Sequence, residues 1–92
     1  MEITKMLTVS TAHIMKNTPE LLNDGIRGLV IYKKDEYGWF IFVPSYDKEY
    51  NNLSLIMPDL HRLLVFAKDM DCEWLCLDCD GEILEYFQTY KW

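Results

Sequence analysis

The sharpest chemical constellation in the chain is Asp78-Cys79-Asp80-Gly81, which follows the apolar run Trp74-Leu75-Cys76-Leu77. Paired carboxylates two positions apart at the end of a strand are groups that could do acid–base work or hold a cation. The plainer expectation is a strand ending in a tight turn, with both carboxylates bonded to turn amides. A calcium loop is excluded, because its first and twelfth positions would be Cys76 and Phe87, where oxygen ligands are required.

Cys72, Cys76 and Cys79 raise zinc, with His13 or His61 as a fourth ligand. On a strand Cys76 and Cys79 project to opposite faces and cannot grip one ion. A redox pair wants a helix N-terminus, and this one lies inside a strand. Core packing is the expected role of these thiols, with no metal and no cofactor. Ser10, Thr11 and His13 could form a hydrolytic group, but no glycine elbow or third partner accompanies them. His13 is expected to brace its loop.

The elements that must position these residues follow from periodicity and punctuation. Residues 3–9 alternate, placing Ile3, Leu7 and Val9 on one face of a strand, with Lys5 a polar interruption. Thr18-Pro19-Glu20 starts a short helix that ends near Asn23-Asp24-Gly25. Residues 27–33 and 38–43 are apolar, rich in β-branched and aromatic side chains, and joined by the short polar link 34–37, a hairpin. Residues 45–57 read mostly as loop. Pro58 opens a second helix to about Met70, with Leu60, Leu63, Leu64 and Ala67 on one face. Residues 73–80 form a last strand, and the tail Ile83–Trp92 carries four aromatics and packs. The order predicts one α+β domain over 1–92. It would be a split β-α-β-β-α-β, ferredoxin-like, antiparallel sheet with two helices on one face and a packed aromatic C-terminal tail. In that topology the end of the first strand lies away from Asp78 and Asp80, which disfavours a His13–Asp78 dyad.

Charge adds the strongest functional signal. The chain has 15 acidic and 9 basic residues, a net charge of −6 and a pI near 4.7. This argues against direct nucleic-acid binding and against anionic membranes. No apolar run approaches the roughly 20 residues of a spanning helix. The first ten residues do not build a secretion signal, and three cysteines cannot all pair, so the cytoplasm is the expected location. Asp69, Asp71, Glu73, Asp78, Asp80, Glu82 and Glu85 fall in a stretch without Lys or Arg, and the rest of the chain is +1. They are the candidate binding residues: a negative patch for a basic protein surface. The alternative is a solvated edge that aids solubility. The sheet also predicts a spare apolar face. Trp39, Phe40 and Phe42, with Tyr90 and Trp92 from the tail, are the candidate aromatic face or interface. The tail is expected to fold over it first, and a second copy of the chain comes next.

Two resemblances accompany this reading. The Asp-x-Asp-Gly turn looks like the first motif of haloacid-dehalogenase-type phosphatases. The likeness implies that Asp78 attacks phosphorus and Asp80 acts as acid–base around magnesium, in a fold whose further strands bring a lysine and more carboxylates. Only 11 residues follow Gly81, however, and Glu82 stands where a threonine is usual. More of the chain is covered by a second likeness. It rests on Thr8–Ile14, Tyr37–Pro44, Pro58-Asp59-Leu60, Cys72–Leu75, Asp78–Gly81 and the terminal Tyr90-Lys91-Trp92. Taken in order, these resemble a family of short uncharacterised bacterial proteins, a domain of unknown function often carried on plasmids and other mobile elements. Lys91 departs from that family's usual ending. The likeness implies no catalytic residue, and it implies a mobile-element setting. The expected function is therefore a non-enzymatic acidic protein-interaction module, an inhibitor or modulator of a host nucleic-acid-handling or defence protein. The alternatives are a small metal-dependent hydrolase or phosphotransfer enzyme centred on Asp78, Asp80 and His13, and a structural dimerisation domain.

Overall fold

The computed structural model describes residues 1–44 and 47–92. The chain runs β1 (Met6–Ser10), a single 3-10 turn (Thr11–His13), α1 (Thr18–Asp24), β2 (Ile31–Lys34) and β3 (Gly38–Phe42). It continues through α2 (Asp47–Ile56), α3 (Pro58–Asp69) and β4 (Trp74–Asp78). The α+β class holds. The sheet order is β1-β4-β3-β2, with β3 antiparallel to both β2 and β4 and β1 parallel to β4. The sheet is thus mixed, which corrects the fully antiparallel, ferredoxin-like arrangement.

The extra helix α2 explains the change. A chain that leaves β3 and passes one helix returns along the direction of β3. Passing two consecutive helices, it returns reversed, so β4 pairs antiparallel with β3 and parallel with β1. The expected loop over 45–57 is replaced by this helix from Asp47 onward; residues 45 and 46 lie outside the described residues. Asn52 and Ser54 are weak helix formers, and of residues 52–56 only Leu53 is buried, with Leu55 and Ile56 exposed. Met57 separates the two helices with φ −139° and ψ 72°, because a residue before proline is pushed out of the helical region.

α3 supplies the core as its periodicity predicts: Leu60, Leu63, Leu64 and Ala67 are all inaccessible to solvent. They pack with Val9, Ile41, Leu75 and Leu77 from the sheet. Each such leucine contributes about 1.5–3 kcal/mol by burial. The register carries this stripe across the strands, Leu7 beside Leu75 beside Ile41, and Val9 beside Leu77 beside Trp39. The α3 helix ends with the Cys72 amide donating to the Ala67 carbonyl and the Asp71 amide to Lys68, while Asp71 takes φ 59°. That is a Schellman ending with aspartate where glycine is usual.

The opposite face of the sheet carries Met6, Trp74 and Phe42 in one row, and Thr8, Cys76, Phe40 and Tyr32 in the next. Tyr32 and Phe42 are exposed, and Trp74 lies 5.1 Å from the Phe42 ring. The tail does not cover this face, contrary to expectation. Gly81 lets it turn away beside β1: a Cβ there would stand 2.5 Å from the Val9 carbonyl carbon. The Ser10 amide donates to the Glu82 carbonyl, and the tail then crosses the 3-10 turn onto α3. Ile3 is exposed and outside β1, so the first strand starts later than alternation suggested.

Candidate functional site

Because β1 and β4 are parallel, Ser10 lies beside Asp78. The 3-10 turn and the Asp78–Gly81 turn therefore leave the same end of the sheet, contrary to the expected separation. Proximity does not make a dyad. His13 is 2% exposed, and its Nδ1 lies 3.0 Å from the Gln88 carbonyl oxygen while its Nε2 accepts the Leu84 amide at 2.9 Å. These partners require the proton on Nδ1 and leave no lone pair for a substrate. The histidine braces the tail, with Phe87 edge-on at 5.9 Å.

Asp78 is likewise engaged. One carboxylate oxygen pairs with the Lys34 ammonium, and the other accepts the Asp80 amide at 2.8 Å. Lys34 also stands 5.5 Å from the centre of the Phe40 ring. The Lys34 hydrogen bond, helped by the Asp80 amide, holds the Asp78 carboxyl below its ordinary value, and Asp78 in turn raises the Lys34 ammonium. Ligand atoms of Asp78, Cys79 and Asp80 lie within 4.8 Å of one another. The expectation that both turn carboxylates bond to amides holds for Asp78; no described group bonds to the Asp80 carboxylate.

The cysteines divide by exposure: Cys72 and Cys76 are buried and Cys79 is exposed, all as free thiols. Burial pushes the Cys76 thiol up, so it stays protonated and inert. Cys72 packs in the core as expected, Cys76 is buried on the opposite face of the sheet, and Cys79 is exposed.

The seven candidate acids form two groups. Asp69, Asp71 and Glu73 flank the start of β4; Asp78, Asp80 and Glu82 lie at its far end, and Glu85 follows on the tail. The five-residue strand puts the two groups about 16 Å apart. All except Asp78 are exposed and make no ion pair with a described residue. Of the candidate aromatics, Trp39 faces the core and is 8% exposed, while Phe40 and Phe42 line the open face. Tyr90 and Trp92 are elsewhere. The Tyr90 amide donates to Ala12 and its hydroxyl accepts from Arg62, while the Trp92 indole donates to the Ile14 carbonyl at 2.9 Å.

Sequence reading missed Asp59. It is 1% exposed, and one carboxylate oxygen accepts the Met15 amide and the Thr18 hydroxyl, both at 2.7 Å. This ties the loop before α1 to the first turn of α3. The available signal was an acid two positions after the turn residue Met57, with proline between.

The chain matches the family model described as the C-terminal domain of a family of unknown function (DUF5983), over residues 6–92. It belongs to that family. No curated protein and no solved structure matches it. Among the described residues, no helix is long and apolar enough to cross a membrane.

Proposed function

We propose that this domain works as a non-enzymatic interaction module whose partner is a protein with a basic surface. The observation that carries this reading is the set of exposed carboxylates at Asp69, Asp71, Glu73, Asp80, Glu82 and Glu85, none in an ion pair with a described residue, in a chain of net charge −6. Facing solvent, they attract a positive surface over roughly the 8–10 Å Debye length of moderate salt. The engagement of His13 by the tail and of Asp78 by Lys34 favours binding over a hydrolase or phosphotransfer centre. A cytoplasmic protein of a bacterial mobile element, acting on a host nucleic-acid-handling or defence protein, is the setting we propose. The test is capture of the partner from the native host, followed by titration at rising salt. Affinity should fall steeply as salt rises, and an unchanged affinity would falsify the reading.

The open sheet face supports a second reading, self-association. Met6, Tyr32 and Phe42 are exposed there beside Trp74, and a patch of large side chains on a monomer calls for a partner. Light scattering across concentration decides it: a strict monomer at the highest soluble concentration removes the dimer.

A further inference from the structure

At the end of the sheet where β1 and β4 both finish, five chain segments border an open cleft of about 410 Å³. It lies within the size range of small recognition pockets. Its aromatic walls are Tyr37 from the hairpin, Trp39 from β3 and Trp92 from the tail. Trp92 also borders an adjoining hollow of about 260 Å³.

Both indoles are fixed. The Trp39 N–H donates to the Asn23 side-chain oxygen at 2.9 Å, and the Trp92 N–H donates to the Ile14 carbonyl at 2.9 Å. With the N–H groups spent, the rings offer the cleft only π faces and hydrocarbon edges, which draw cations and flat groups rather than hydrogen-bond acceptors. Glu36 lines the cleft and forms no ion pair with a described residue. Asp80 adjoins the wall residue Cys79 and likewise forms no ion pair with a described residue. Lys33 is the one cation among the described lining residues, on an exposed strand edge from which its flexible stem can swing into water. Rings held before binding lose little freedom when a ligand arrives.

From this geometry we infer that the cleft between Tyr37, Trp39 and Trp92 receives an arginine side chain of the partner protein, its guanidinium against the exposed Trp92 and Tyr37 rings, with the buried Trp39 as the floor and its charge met by Glu36. The inference deepens the basic-partner reading and rests on it. A guanidinium fits better than an ammonium because it is flat, weakly hydrated and stacks on rings.

The experiment titrates the whole chain with three capped tripeptides, Gly-Arg-Gly, Gly-citrulline-Gly and Gly-Glu-Gly, read by indole resonances. The arginine peptide should bind saturably and shift the Trp39 and Trp92 indole signals, while the citrulline peptide, its neutral isostere, binds more weakly. Trp92→Ala should weaken arginine binding about threefold to thirtyfold, the range of a partly desolvated cation–π contact. Because Trp92 also anchors the tail, two hairpin variants serve as independent tests. Glu36→Gln should weaken binding, and Lys33→Gln should strengthen it. Equal binding of arginine and citrulline, preference for the glutamate peptide, or no saturable binding overturns the inference. If the native partner still binds with steep salt dependence to Trp92→Ala and Glu36→Gln at full affinity, the cleft assignment fails and the basic-partner reading stands. Loss of salt dependence in the unaltered chain defeats that reading instead.

Discussion

At the residue scale, side chains that suggested chemistry are committed to structure. Asp78 is stabilised as a carboxylate by Lys34, so its folded value lies below the ordinary 3.8. A depressed carboxyl contributes stability that is complete above its unfolded value and is lost as pH falls through the folded one. Lys34→Met should therefore lower Tm at neutral pH, and the gap to the unaltered chain should close as pH falls below the carboxylate range; a gap constant with pH would contradict the pair. Asp71 bears the opposite kind of signature. A non-glycine residue at φ 59° costs about 1 kcal/mol in the left-handed region. Asp71→Gly should raise stability by up to about 1 kcal/mol in denaturant melts, since glycine takes that conformation freely. Among the thiols, iodoacetamide should label Cys79 alone in the folded protein, as mass spectrometry would show, because Cys72 and Cys76 are buried.

At the element scale, the tail is the part whose position matters most. It is held by Ser10, Ala12, His13 and Ile14 in succession. His13→Ala removes the acceptor of the Leu84 amide and the donor to the Gln88 carbonyl, two part-buried hydrogen bonds each worth about 1 kcal/mol. Hydrogen exchange at Leu84 and Tyr90 should accelerate in that variant while β4 stays protected. Gly81→Ala tests the same turn from the other side. Its methyl would collide with the Val9 backbone, and overpacking of this kind costs about 1–3 kcal/mol. A Gly81→Ala protein as stable as the original would refute the close approach. α3 shows how plain an element can be when packing and propensity agree, and α2 shows the reverse. One buried leucine among residues 52–56, beside asparagine and serine, leaves little periodicity to read.

At the scale of the whole molecule, the domain presents an uncovered aromatic sheet face, two groups of exposed carboxylates and an aromatic cleft at one end. Local pattern determined a good deal of this. The strands at β3 and β4, the helix starts at Pro19 and Pro58, the α3 core stripe and the inward–outward alternation of Trp39, Phe40, Ile41 and Phe42 are local signals of composition, punctuation and period, while the second strand, expected over 27–33, is confined to Ile31–Lys34. Periodicity is a property of neighbouring residues, so it is legible in the chain. The direction of β4 is not. It depends on whether one helix or two precede it, and α2, whose sequence carries little periodicity, is the second helix, after which the strand runs reversed and the sheet is mixed. The course of the tail is equally non-local. Aromatic composition said that it packs, but the choice between the open sheet face and α3 was made by Gly81 turning past Val9 and by His13 accepting the Leu84 amide and donating to the Gln88 carbonyl. The acidic stretch follows the same division: its charge is a sum over residues, while its separation to the two ends of β4 exists only once the strand is extended between them.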